Sequence, residues 1–126
     1  MVANGPWSDK PAPTDELRGH ILANVMCADP AREAEWDAWY DETHLPDMLS
    51  CGAFGAMTRW RREPRAEVGP THVTLYDVST PTVAEAVERS AATLVELTAA
   101  GRKLDVHTGG LTLLMARTGS PPTLRP

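Results

Sequence analysis

Alternation of apolar and polar side chains marks four stretches of this chain as strands, and recurrence every three or four residues marks two as helices. Residues 17–28, LRGHILANVMCA, alternate. Ile21, Ala23, Val25 and Cys27 share a wholly apolar face, whereas His20, Leu22, Asn24 and Met26 share a mixed one. The apolar face predicts contact with helices, and the mixed face predicts contact with a partner or a cavity. Asp29-Pro30 predicts a helix start: the carboxylate accepts backbone N–H bonds, and Pro30 falls in the first turn, where its missing donor does no harm. Through AREAEWDAWYDETH, Trp36, Trp39, Tyr40 and the pair Thr43/His44 form one stripe. Pro46 disfavours helical geometry at Leu45, so a kink or fresh turn is expected there. A short helix over LPDMLS and a stop at Gly52 follow.

Residues 53–63, AFGAMTRWRRE, read as the second strand, with Thr58 and Trp60 pointing one way and Met57, Arg59 and Arg61 the other. A polar loop spans residues 64–70. Residues 71–79, THVTLYDVS, form the third strand, rich in β-branched and aromatic residues. From Thr82 to about Ala100 runs the clearest helix. Thr82 and Glu85 fit a capping box, Val83, Val87, Ala91, Leu94 and Thr98 form the stripe expected to be buried, and Gly101 ends it. Residues 104–117 hold the last strand, centred on Leu111 to Met115, with Gly109-Gly110 marking a bulge or bend.

The order β-α-β-β-α-β contains two crossovers that must be right-handed, which places both helices on one face of a four-stranded antiparallel sheet. The expected class is α+β, ferredoxin-like. The opposite face would carry Leu22, Met26 and either Trp60 or Met57, too apolar a surface to leave in water. A second copy of the chain would cover it, so a homodimer is expected. Residues 1–16, with Gly5, Pro6, Pro11 and Pro13, and residues 119–126 read as flexible tails around a domain at 17–118.

The length, 126 residues, suits one domain, and a balance of 42% hydrophobic to 23% charged residues is that of a globular protein. A net charge of −5 argues against nucleic acid or anionic lipid as partner. The one basic cluster, Arg59, Arg61, Arg62 and Arg65, is local and interrupted by Glu63. Cys27 and Cys51 lack the spacing of a redox or zinc motif and read as reduced thiols. No apolar run approaches the roughly 20 residues that span a membrane. The first residues contain no apolar signal core, so the expected location is cytoplasmic. No phosphate loop, dinucleotide fingerprint, nucleophile elbow or zinc spacing occurs, and neither a cofactor nor a metal is expected.

At Trp39-Tyr40-Asp41-Glu42-Thr43-His44-Leu45-Pro46 the sequence resembles the EthD-like branch of the dimeric α/β-barrel superfamily, whose members read W-Y-x-x-E-H-L-P at the end of the first helix. The strands Gly52 to Trp60 and Thr71 to Val78 resemble those that follow in that family, so the likeness spans about residues 17–118. Thr43 stands where the family usually has Glu, which leaves His44 without that carboxylate. The resemblance implies a dimer whose sheets pack into a barrel and a small-molecule pocket in each subunit. Its chemistry is broad: polyketide cyclases and dehydratases, lactone isomerases, cofactor-free monooxygenases and haem-using enzymes. Fold therefore says little about the reaction.

His44 is the first candidate for chemistry, because imidazole exchanges a proton near neutral pH. Tyr40 lies one helical turn earlier on the same face, so the two side chains can reach one substrate oxygen. The competing role for His44 is to cap the helix C-terminus. Trp39 is either core or the wall of a pocket for a flat ligand. Asn24 is satisfied by a neighbouring strand or aimed into a pocket. Arg59 can hold a substrate anion or pair with an acid. His72, Trp60 and Tyr76 complete the candidates for substrate binding. The expected function is acid/base chemistry without a cofactor, as cyclisation, dehydration or isomerisation, on a small aromatic or polyketide-like metabolite. His44 would be the acid/base and Tyr40 would orient the substrate. A small monooxygenase, cofactor-free or haem-using, and a non-catalytic ligand-binding dimer are the alternatives.

Overall fold

A computed structural model of the chain describes residues 2–6, 18–65 and 67–116. The elements run β1 (Val2–Pro6), β2 (Gly19–Cys27), a short 3₁₀ turn (Pro30–Arg32), α1 (Glu33–Trp39), a π-helical turn (Tyr40–His44), α2 (Leu45–Leu49), β3 (Phe54–Arg61), β4 (His72–Val78), α3 (Val83–Ala99) and β5 (His107–Ala116). The strands form one antiparallel sheet in the order β1-β3-β4-β2-β5. The class is α+β, as expected, and the four expected strands and two helical segments are all present.

The sheet has one strand more than expected. Val2–Pro6 pairs with β3 from Val2 opposite Arg61 to Pro6 opposite Thr58. Asn4 and Gly5 are poor strand formers, so this stretch carries no strand pattern of its own. The open edge of β3 supplies the pairing, and an edge position tolerates a proline without an N–H. The rest of the expected N-terminal tail, and residues 119–126, lie outside the described residues.

The faces of β2 divide as the alternation predicts. Ile21, Ala23, Val25 and Cys27 join Trp36, Tyr40, Leu45, Met48, Phe54, Met57, Tyr76, Val78 and Ala86 in one core between the sheet and the helices. Each fully buried large apolar side chain contributes about 1.5–3 kcal/mol. The other face carries Leu22 and Met26 together with Trp60, not Met57, which points into the core. Leu113 and Met115 on β5 pair beside Leu22 and His20 and are 49% and 36% exposed.

The helix start forms as expected: Asp29 Oδ1 accepts from the Ala31 N–H at 3.0 Å, with Pro30 in the first turn. Pro46 does not end the helix. Without an N–H, proline cannot make the regular bond four residues back, and the ladder widens into the π turn at Tyr40–His44 before α2 resumes. On α3 the Glu85 N–H donates to Thr82 Oγ1 at 3.1 Å, while the Glu85 carboxylate turns away to Arg89 at 2.8 Å. The expected bulge lies elsewhere: the β2–β5 register slips by one residue at Thr112, not at Gly109-Gly110. Gly109 has φ +146°, and a Cβ there would stand 2.3 Å from the Asn24 carbonyl oxygen. The glycine permits close approach of two strands rather than a bulge.

Candidate functional site

The stripe expected to be buried on α3 does not fully close on the sheet. Val87, Ala91, Leu94 and Thr98 border a cavity of about 240 Å³, and Leu94 stays 40% exposed. Sheet and α2 residues including Ala23, Phe54, Tyr76 and Met48 complete the apolar walls. Tyr40, Tyr76, His44, His107, Ser90 and Thr98 are the uncharged polar residues of the lining, and Lys103 is the charged one among the described residues.

The π turn brings Tyr40 and His44 onto one side, their ring centroids 4.9 Å apart. His44 is 8% exposed. Its ring stacks on Trp39 at 4.8 Å and lies 5.3 Å from the ring of His107. No described side chain hydrogen-bonds its nitrogens. Burial, reinforced by neighbouring His107, pushes its pKa down to about 3, so the ring is neutral at pH 7.

His107 opens β5, and its Nδ1 accepts a hydrogen bond from Trp36 Nε1–H at 3.1 Å. Burial, followed by the charges of Lys103 and Arg59, lowers its pKa to about 4. Tyr40 is fully buried and its hydroxyl shares a 2.6 Å hydrogen bond with Thr74 Oγ1. Tyr76 packs on Phe54 at 4.6 Å between centroids. Burial raises both phenols above the ordinary tyrosine range, Tyr76 the further. At neutral pH the cavity lining therefore includes two neutral imidazoles and two protonated phenols.

Of the residues singled out in the sequence, Tyr40, His44 and Tyr76 meet at this cavity. Trp39 stands behind His44, its indole N–H donating to the Arg102 carbonyl oxygen at 2.9 Å. The remaining candidates are placed elsewhere. Arg59 is fully buried beneath the helix. Its Nη1 donates to Asp41 at 2.9 Å, its Nη2 donates to Asp37, and its guanidinium lies over the rings of Trp36 and Tyr40 at 4.7 and 4.5 Å. It holds the helix to the sheet and does not line the cavity, because the acids one helical turn apart above it satisfy its fork. His72 faces the helices but sits against Trp36, 5.0 Å between centroids, with its Nε2 3.9 Å from Asp37. Burial lowers its pKa to about 4. Asn24 and Trp60 lie on the opposite face of the sheet, because alternation turns them away from the buried Ala23, Val25 and Arg59. His20 is also on that face, 3.0 Å from Asp77.

His107 and Lys103 carry no motif, and the sequence reading passes over both. The usable signal was Gly109-Gly110 just after His107: glycines inside a strand mark close approach of backbone or ligand. A Cβ on Gly110 would meet nothing within 4 Å.

Among the described residues no group of three or more His, Cys, Asp or Glu is placed to hold a metal ion, and no helix is long and apolar enough to cross a membrane. Cys27 and Cys51 are both free thiols.

No model of a known protein family matches this chain, and no curated protein matches it. Among solved structures, the crystal structure of HapK from Hahella chejuensis is similar, with a TM-score of 0.52 and 14% sequence identity over 85% of this chain and 99% of that one. At that identity the likeness concerns the fold alone: this chain and HapK share a small antiparallel sheet packed against helices.

Proposed function

We propose that this protein is a homodimeric, cofactor-independent enzyme performing acid/base chemistry on a small aromatic or polyketide-like metabolite, in the manner of the EthD-like dimeric α/β barrels its sequence resembles. One observation carries the reading. An imidazole with no hydrogen-bond partner among the described residues, that of His44, lines an apolar, aromatic-walled cavity beside a second imidazole. Such a pocket with few convergent polar groups and shifted pKa values is where small-molecule chemistry is expected.

In this reading neutral His44 removes a proton from carbon next to a substrate carbonyl, and the electrons move onto the carbonyl oxygen as an enolate. The imidazolium then returns the proton to the same or another atom, which gives isomerisation, or to a departing hydroxyl, which gives dehydration and aromatisation. Tyr40 orients the substrate. Arg59 and Asn24 have no part, since neither borders the cavity.

Support for the ferredoxin-like barrel comes from strand order. Without β1 the sheet reads β3-β4-β2-β5, the order that two interleaved β-α-β units give. Support for the dimer comes from the open face, where among the described residues Leu22, Met26 and Trp60 are only partly covered and Leu113 and Met115 are exposed.

The test is exchange of the α-protons of β-tetralone in deuterium oxide, followed by proton NMR. Wild-type protein should accelerate exchange, and His44→Ala should abolish the acceleration while remaining a dimer by light scattering. Undiminished acceleration by His44→Ala would reject His44 as the base. One feature favours the ligand-binding alternative: an imidazole held as low as about 3 is a weak base. That alternative predicts that β-tetralone binds without exchanging and that His44→Gln binds it equally well.

A further inference from the structure

The two imidazoles of the cavity lining are not equivalent, and this assigns a substrate class. Trp36 is fully buried, and its indole nitrogen has only an N–H to offer, so the bond to His107 Nδ1 fixes that nitrogen as the acceptor. A neutral imidazole with its lone pair on Nδ1 carries its proton on Nε2. The Nδ1 edge is turned into the core, which leaves the Nε2 edge for the cavity that His107 lines. That edge reaches open space: the one fully buried side-chain nitrogen or oxygen without a partner among the described residues is Arg59 Nε. Lys103 lines the same cavity, and its charge is felt at the His107 ring. None of the described carboxylates pairs with it.

Resting on the reading of this cavity as a substrate site, we infer that it selects a small planar molecule with an anionic oxygen, an enolate, phenolate or carboxylate, held by His107 Nε2–H and Lys103. His107 is then a donor fixed in advance, and Trp36 is the positioning residue that sets its tautomer. The flanking rings of Phe54, Tyr76 and Tyr40 accept a flat apolar body. A volume of about 240 Å³ keeps that body to the size of a small aromatic acid, below the roughly 300–1,000 Å³ of drug-sized sites. Held against the same oxygen, these donors would also stabilise the enolate that proton removal by His44 creates.

Two measurements on the full chain test this. The first is nitrogen-15 NMR of histidine-labelled protein, which distinguishes the tautomers. His107 should read as protonated on Nε2, and Trp36→Phe should convert it to a mixture. A wild-type ring protonated on Nδ1 overturns the assignment. The second is binding of para-nitrophenol, whose phenolate absorbs in the visible, against its neutral methyl ether, para-nitroanisole. The phenolate should bind at least about tenfold more tightly, the preference that one hydrogen bond to a charged group carries. Lys103→Met, an exposed change that leaves the core intact, should cut that preference several-fold, and His107→Phe should abolish it. Equal affinity for the two probes overturns the substrate class while the cavity stands as a binding site. Binding of neither probe overturns the cavity reading and this inference with it.

Discussion

Acidification should unfold this protein through its buried imidazoles. His44, His72 and His107 are held at about 3, 4 and 4, against an ordinary value of 6.5. Between those values the unfolded chain binds protons that the folded chain refuses, so stability rises with pH throughout the window. It is complete above about pH 6.5 and is lost as pH falls toward 4. One unit below the ordinary value each ring costs about 1.4 kcal/mol, somewhat less for half-buried His107. From about pH 7.5 to about pH 5.5 the three together remove about 3–4 kcal/mol, much of a typical domain's 5–15 kcal/mol. The carboxylates of Glu33, Glu35 and Asp105, lowered by their arginine partners, titrate below this window. Urea unfolding followed by tryptophan fluorescence measures the loss. With an m-value of about 1–3 kcal/mol/M the midpoint should drop by more than about 1 M. His44→Gln and His107→Gln should each flatten the slope by about a third. Stability that is constant or higher at the acid end would refute the claim that these rings are buried and neutral.

Other outcomes follow from single contacts. Replacing Asp37 and Asp41 together by Ala strands a fully buried guanidinium and should cost about 3–5 kcal/mol by urea unfolding. Arg59→Met leaves two partly exposed carboxylates that water can solvate, so it should cost less than the double change; the reverse order would contradict the placement of Arg59. Gly109→Ala drives a Cβ to 2.3 Å from the Asn24 carbonyl oxygen, and hydrogen exchange should show β5 amides losing protection while β3 and β4 keep theirs. Protection unchanged along β5 would reject the register. His44→Ala should lose proton exchange on β-tetralone without losing its far-ultraviolet circular dichroism.

What the sequence made legible was whatever local pattern determines. The alternation in β2 settled which of its faces meets the helices, and Tyr40 and His44 were found because spacing along one helix puts them together. The edge strand Val2–Pro6 was not legible, since its pairing comes from β3 and not from its own residues. Arg59 pairs with acids, one of the two roles its sequence left open, and the choice between them was not legible for a related reason. Its strand face was read correctly, but its partners Asp37 and Asp41 are supplied by the helix, and sequence spacing gave no sign of them. His107 was passed over because its contact with Trp36 spans 71 residues. The part of the site read from sequence is Tyr40 and His44 on one helical segment and Tyr76 on β4, and the part missed, Lys103 and His107, comes from the start of β5 and the loop before it.

The central claim is that work is done where His44 and His107 meet, and the four histidines can report on it directly. Nitrogen-15 signals of the imidazoles should be recorded while β-tetralone is added. His44 and His107 should shift together, while His20, on the open face beside Asp77, and His72, behind Trp36, should hold still. Movement of His20 or His72 with His44 and His107 unchanged would place the site elsewhere and contradict the account.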